Sequence, residues 1–357
     1  MPVRVMVAGG GTGGHLFPGI AVATVLRDHH GAEVRFLGSE HGIEKRAVPR
    51  AGFEVDLLPV RGLRGKTLAD TLRGLRDLLR SLRGAGRALR VFRPDLAIGV
   101  GGYAAFPGIL AAIWRRVPIV LLEQNASVGL TNRLLARFAK NVCTSFATTG
   151  DQLGKRAVFT GNPIRFRAPA AALPAAAGAP LHLLVFGGSA GARRLNDVLP
   201  QAVAAAREPI IVCHQAGGSD TEKVRAAYAA AHIEAEVTPF IDDMAAAYAR
   251  ADLVVCRAGA STIAELTALG KPAILVPYPW ATGDHQTGNA KPLDAAGAGW
   301  LIADDALAAD DLAARFDALA VDAAALRAAG AAARTLGRPD AGERVVEVCL
   351  AAAQGAV

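Results

Sequence analysis

The chain has 357 residues, 52% hydrophobic and 20% charged, with a formal charge of +7. That length favours two domains, and so apolar a composition excludes a disordered chain. The charge is uneven: residues 1–165 carry 24 Lys/Arg against 11 Asp/Glu, and residues 166–357 carry 15 against 21, so the basic half suits an anionic membrane or nucleic acid, with a plain arginine bias as the alternative.

Met1 runs directly into an apolar strand, Val3–Ala8, with no secretory-signal pattern. The loop Gly9-Gly10-Gly11-Thr12-Gly13-Gly14-His15 follows, and then a helix over Pro18–Leu26. Gly9, Gly11 and Gly14 satisfy GxGxxG, but the acid a dinucleotide site needs after the second strand is poorly matched by Ser39-Glu40-His41. Glycines let the backbone approach a ligand, and a helix start offers N–H groups to an anion. A neutral imidazole of His15 at that start, beside a phosphate-friendly loop, suits a general base; a helix-capping histidine is the alternative.

Val34–Leu37 reads as the next strand. Between Arg61 and Arg93, arginines alternate with Leu68, Leu72, Leu75, Leu79 and Leu82 at helical spacing. This basic amphipathic helix suits a membrane surface and equally a core-facing helix with a solvated basic face. Leu96–Trp114 lacks charge over a length that can span a membrane, yet Gly99, Gly101, Gly102, Pro107 and Gly108 break it. The reading is a buried strand, Leu96–Val100, a glycine turn, and a buried helix from Pro107 that ends at Arg115. Ile119–Glu123 and Val142–Thr144 complete the first series of strands.

Gly161-Asn162-Pro163 marks a boundary, and residues 168–180 form a low-complexity connector. A second series then begins: Leu181–Phe186, Ile210–Gln215, Val237–Phe240, Leu253–Cys256 and Ala273–Val276. Continuous apolar strands alternating with helices predict parallel sheets covered on both faces. The expected organisation is therefore two Rossmann-like doubly wound α/β domains, 1–163 and 164–340, with a last amphipathic helix in 341–357 able to pack back on either one.

Glycine loops recur in the second half. Gly187-Gly188-Ser189-Ala190-Gly191-Ala192 precedes a helix carrying Arg193 and Arg194, so it offers N–H groups and a hydroxyl to a diphosphate. Arg257 to Glu265 follows the Leu253–Cys256 strand, where Glu265 suits a ribose diol or a capping box with Ser261 or Thr262. The polar run Gly283–Ala290 lies after Pro277-Tyr278-Pro279, where open α/β sheets bind ligands. Cys143, Cys213, Cys256 and Cys349 have no metal-ligand spacing and read as small buried hydrophobes.

Together these motifs resemble the MurG family of bacterial cell-wall enzymes. The resemblance runs in order through GlyGlyThrGlyGlyHis (10–15), ArgGlyLeuArgGlyLys (61–66), GlyGlyTyr (101–103), GluGlnAsn (123–125), GlyAsnProIleArg (161–165), GlyGlySer (187–189), PheIleAspAspMet (240–244), CysArgAlaGlyAla (256–260) and AspHisGln (284–286). It implies a GT-B fold with an interdomain cleft and transfer of N-acetylglucosamine, with inversion, from UDP-N-acetylglucosamine to lipid I (undecaprenyl-diphosphate-MurNAc-pentapeptide), giving lipid II. It also implies a peripheral enzyme on the cytoplasmic face of the bacterial inner membrane, with neither cofactor, metal nor nucleic acid. Carried over by position, the substrate contacts are Thr12, Gly13, Gly14, Asn125, Arg165, Ser189, Ile241, Ala260, Ser261, Thr262, Ile263, Ala264, Glu265 and Gln286, with His15 as base. Ala190 departs from the glutamine common there. Rival readings are a sugar-nucleotide epimerase, for which no convincing catalytic carboxylate is found, a nicotinamide dehydrogenase resting on GxGxxG alone, and a nucleic-acid module, for which 5% aromatic residues are too few.

Overall fold

The computed structural model describes residues 2–60, 68–166, 179–188 and 191–355. The ArgGlyLeuArgGlyLys motif, most of the connector, Ser189 and Ala190 lie outside the described residues. The chain forms two compact units: residues 1–165 with 339–357, and residues 166–338.

The first unit is built on a seven-stranded sheet. In chain order its strands are β1 (Arg4–Ala8), β2 (Glu33–Ser39), β3 (Glu54–Leu58), β4 (Leu96–Gly99), β5 (Ile119–Glu123), β6 (Asn141–Thr144) and β7 (Ala157–Phe159). Spatially the order is β3-β2-β1-β4-β5-β6-β7, parallel throughout. The helices are α1 (Gly13–His30), α2 (Glu44–Arg50), α3 (Leu68–Phe92), α4 (Ala105–Trp114), α5 (Leu130–Leu135) and α6 (Ala147–Leu153).

The second unit has a six-stranded parallel sheet of order β10-β9-β8-β11-β12-β13. These strands are β8 (Leu181–Phe186), β9 (Ile210–Gln215), β10 (Ala235–Thr238), β11 (Leu253–Cys256), β12 (Ala273–Leu275) and β13 (Gly299–Leu301). Its helices are α7 (Arg193–Ala205), α8 (Thr221–Ala230), α9 (Met244–Arg250), α10 (Ala260–Leu269), α11 (His285–Ala295), α12 (Ala309–Val321) and α13 (Ala323–Leu336). The last helix, α14 (Ala341–Gln354), belongs to the first unit and packs on α1 and on β4, β5 and β6. Val345, Val346 and Cys349 carry that contact and are buried; each such aliphatic side chain contributes roughly 1.5–3 kcal/mol.

The central strands β1, β4, β5, β8 and β11 are the continuous apolar runs, because helices cover both faces. Sequence reading missed β3, β7 and β13, each at a sheet edge. β3 was hidden by its charges: Glu54 and Asp56 pair with Arg35 on the neighbouring β2. The first helix also corrects the reading. It begins at Gly13, so Pro18 lies inside it and His15 in its first turn. Cys143, Cys256 and Cys349 are buried free thiols, but Cys213 is only half-buried. Burial raises the Cys143 thiol to about 12 and that of Cys213 to about 11.

Candidate active site

In each sheet the strand order reverses at one place, between β1 and β4 in the first and between β8 and β11 in the second. Open α/β sheets bind ligands outside the carboxyl ends of the strands at such a switch point. The glycine loop of residues 9–14 follows β1 and Gly101-Gly102 follows β4, so both flank the first switch point. Gly187-Gly188 follows β8 and Arg257 to Gly259 follows β11, flanking the second.

In the first unit, the main chain folds the glycine loop tightly over a buried carboxylate. Gly10 has φ +134°, and a Cβ there would fall 2.6 Å from Cγ of Glu44. Glu44 is fully buried and accepts a hydrogen bond from the Ser39 N–H at 3.1 Å. Thr12 is the extended N-cap of α1, and its own side chain does not cap the helix. His15 is half-buried. Its Nδ1 lies 3.0 Å from Oε1 of Gln124. The backbones of Gly101 and Gly102 wall the ring: a Cβ on either would approach Nδ1 to 3.2 Å or Cδ2 to 3.3 Å.

Phe17 and Tyr103 complete these surroundings; sequence reading named Tyr103 only within the GlyGlyTyr motif and gave Phe17 no place. The Phe17 ring covers Gly13, and the exposed Arg165 stacks on it with its guanidinium carbon 3.9 Å from the ring centre. Phe17 thus joins two predicted residues that lie far apart in the chain. Tyr103 lies over Gly11, and a Cβ there would be 3.2 Å from its ring. A visible signal for Phe17 was its one-turn spacing from Gly13. Asn125 is half-buried, with its N–H donated to Glu123 Oε1 at 3.1 Å. The other Glu123 oxygen accepts from the Gly129 N–H and from Asn132 Nδ2, both at 2.9 Å. The carboxylate of Glu123, buried in the sheet, therefore shapes the loop that carries Asn125.

In the second unit, Gln215 is the organising side chain. Its Nε2 donates to the Gly188 carbonyl at 2.9 Å and its Oε1 accepts from the Ile241 N–H at 2.8 Å. The Ile241 N–H is thus engaged within the protein. The stretch Ala260 to Ala264 forms the start of α10, whose N-cap, Gly259, is extended and without a side-chain cap. Ser261, Thr262 and Ala264 are half-buried, whereas Ala260 and Ile263 are buried. The Ile263 N–H bonds the Gly259 carbonyl at 2.9 Å. Glu265 is buried and accepts from the Tyr248 hydroxyl at 2.9 Å, so α9 holds one oxygen of its carboxylate.

Beside this stretch, Arg257 is nearly fully buried. Its Nη1 donates to the Val276 and Pro277 carbonyls and to Asp304 Oδ1, at 3.2, 3.0 and 2.5 Å. Asn289 of α11, fully buried, donates to the Ala258 carbonyl at 3.1 Å. Gln286, half-buried, accepts from the Tyr278 N–H at 2.9 Å. Arg257 and Asn289 thus fix the loop entering α10 from two sides. Among the described residues, no three His, Cys, Asp or Glu side chains gather as a metal site.

Residues 5–144 match the glycosyltransferase family 28 N-terminal domain, and residues 182–345 its C-terminal domain. The chain is 44% identical over 354 residues to the UDP-N-acetylglucosamine–N-acetylmuramyl-(pentapeptide) pyrophosphoryl-undecaprenol N-acetylglucosamine transferase of Geotalea uraniireducens, covering 97% of each chain. It is 47% identical over 356 residues to the protein of that name from Alkalilimnicola ehrlichii, covering 98% of this chain and 99% of the relative. Among solved structures it is similar to MurG of Acinetobacter baumannii, with 35% identity and a TM-score of 0.79 over 98% of this chain and all of that one.

Proposed function

The chain belongs to the MurG family of glycosyltransferases, with family 28 domains in both halves, and on that premise we propose that it transfers N-acetylglucosamine from UDP-N-acetylglucosamine to lipid I, forming lipid II with inversion at the anomeric carbon. The observation that carries this reading in the geometry is His15. It is a partly accessible imidazole in the first turn of α1, at the switch point of the first sheet.

In the proposed reaction, the acceptor hydroxyl oxygen bonds to C1 of the donor sugar. The bond from C1 to the UDP oxygen breaks, and its electron pair leaves with UDP. The acceptor proton passes to His15. The first unit provides the base, with Thr12, Gly13, Gly14, Asn125 and Arg165 lining the reacting groups. The second unit holds the donor. Backbone atoms of Ile241 serve the uracil; because its N–H is already given to Gln215, its carbonyl is the group on offer. Glu265 serves the ribose. The start of α10, with Ser261 and Thr262, faces the diphosphate, whose charge grows as the bond breaks. Ser189 and Gln286 complete the donor set. The proposed transfer needs no metal or cofactor.

The acceptor is a lipid, and the enzyme works peripherally on the anionic cytoplasmic face of the inner membrane. Among the described residues, no helix is long and apolar enough to cross a membrane. α3 offers a surface instead. Ser81, Ala85 and Leu89 form its buried stripe, while Leu75 and Leu79 stay exposed beside Arg76, Arg80, Arg83, Arg87 and Arg90. Exposed leucines next to arginines are the pattern of a helix that lies on an anionic membrane surface.

The test is transfer of labelled N-acetylglucosamine from UDP to a lipid I analogue by wild type and His15→Ala, with UDP-N-acetylglucosamine binding measured in both. Transfer lost with binding retained supports the reaction and the base. Donor binding without any transfer by wild type would instead favour a sugar-nucleotide epimerase.

A further inference from the structure

We infer that Gln124 is a positioning residue that holds His15 in its Nδ1–H tautomer and leaves Nε2 as the basic nitrogen; the inference rests on the proposed role of His15 as general base.

Two facing oxygens decide the matter. Gln124 is 1% exposed, immediately past β5. Its amide nitrogen lies 2.9 Å from the Val100 carbonyl oxygen. A carbonyl only accepts, so the amide NH₂ must face it; turning the amide over would oppose two oxygens in a buried place. The Gln124 Oε1 therefore faces His15 Nδ1, at 3.0 Å. An amide oxygen also only accepts, so Nδ1 must donate. A neutral imidazole carries one ring proton, and with that proton on Nδ1 the lone pair belongs to Nε2.

The relay is anchored to the sheet. The Val100 N–H donates to the Ala8 carbonyl at 3.0 Å, tying the turn after β4 to the end of β1. Gly101 and Gly102 leave the space the ring occupies, since a Cβ on either would crowd Nδ1 or Cδ2. When the acceptor proton arrives at Nε2, the resulting imidazolium keeps its Nδ1–H bond to Oε1. No group has to reorganise during transfer.

The choice of an amide also has a reason. A carboxylate behind the ring would also accept from Nδ1, but its second oxygen would face the Val100 carbonyl and it would place a negative charge near a diphosphate-bearing donor. An amide fixes the tautomer without that charge.

The experiment uses the full-length protein labelled with ¹⁵N-histidine. Long-range ¹H–¹⁵N correlation reads the protonated nitrogen of His15, assigned by the signal missing in His15→Ala. The expected result is Nδ1 protonated and Nε2 bare. Gln124→Met, close in volume but without an acceptor, should move His15 towards the Nε2–H form. Its kcat should fall by about one to two orders of magnitude, within the roughly 10²–10⁴ that a positioned base supplies, with KM for UDP-N-acetylglucosamine unchanged. Wild-type His15 protonated on Nε2, or an unchanged kcat in Gln124→Met, overturns the inference. The wild-type spectrum decides even where a variant fails to fold. Full transfer by His15→Ala overturns the general-base reading itself, and with it the catalytic meaning of Gln124, whatever the tautomer.

Discussion

The Tyr248 hydroxyl donates to Glu265 Oε2 at 2.9 Å, and both residues are buried. Tyr248 is itself set between aromatic rings, with the Phe186 and Phe166 centroids 5.9 and 6.2 Å away. A carboxylate proposed to hold a ribose diol is thus oriented by a phenol that cannot move freely. Tyr248→Phe keeps the ring packing and removes the donor. Loss of one hydrogen bond to a charged group is worth about 1.5–3 kcal/mol, so KM for UDP-N-acetylglucosamine should rise by about 10- to 150-fold, with the acceptor KM unaffected. Steady-state kinetics alongside a melting curve measures this. An unchanged donor KM would remove the Tyr248 bond from donor binding.

Gln215 joins the loop after β8 to the segment before α9 through one amide. Gln215→Leu should release both at once. The carbonyl of the exposed Gly188 and the N–H of the half-buried Ile241 would each lose a partner, at about 0.5–1.5 kcal/mol per hydrogen bond. The expected outcome is weaker binding of UDP and UDP-N-acetylglucosamine alike, because the contacts affected serve the nucleotide rather than the sugar. Calorimetric titration with the two ligands checks it. A loss confined to the sugar nucleotide would contradict the assignment of Ile241 to uracil.

The switch-point loops were legible because their glycines are dictated by space. Gly10 must pass over Glu44, and Gly102 approaches the Gly10 carbonyl so closely that a Cβ would lie 2.8 Å from it. Such positions leave their mark in the sequence whatever the ligand. The long central strands were legible for a similar reason, since burial on both faces demands an apolar run. The edge strands were not: β3 carries charges matched across to Arg35, and β7 and β13 are three residues each. The side chains that orient the site were hidden more deeply. Gln124, Gln215 and Tyr248 act through contacts between residues 17 to 109 positions apart, and a sequence without an alignment shows no such pairings. Phe17 was overlooked because an aromatic on an apolar helix reads as core.

Leu75 and Leu79 are 54% and 48% exposed on a helix whose buried stripe lies elsewhere. Replacing both with glutamate should weaken sedimentation of the protein with vesicles containing anionic phospholipid, and should lower transfer to vesicle-embedded acceptor. Transfer to a water-soluble acceptor analogue should stay at the wild-type rate. Each basic residue near such a surface adds about 1 kcal/mol, so the remaining binding should fall steeply with salt. Equal loss with both acceptors would mean that the leucines support the fold instead.

His214 gives the second unit an acid limit. It is fully buried, with Nδ1 3.1 Å from the Tyr228 hydroxyl and Nε2 3.1 Å from Asn196 Oδ1. Asn196 in turn donates to the Ala216 carbonyl and to Asp220 Oδ2. Burial lowers the His214 pKa from 6.5 to about 4. The sign follows from proton counting: between those values the unfolded chain binds the proton and the folded one does not, so stability rises with pH across that window. The contribution is fully present above 6.5 and lost as pH falls towards 4, amounting to about 3 kcal/mol. Urea midpoints from pH 7.5 down to 4.5 should decline for wild type. His214→Gln retains a donor and an acceptor but cannot titrate, so its profile should be flatter over the same range, although its midpoint at pH 7.5 falls through imperfect packing. Parallel profiles for the two proteins would show that other groups set the acid limit.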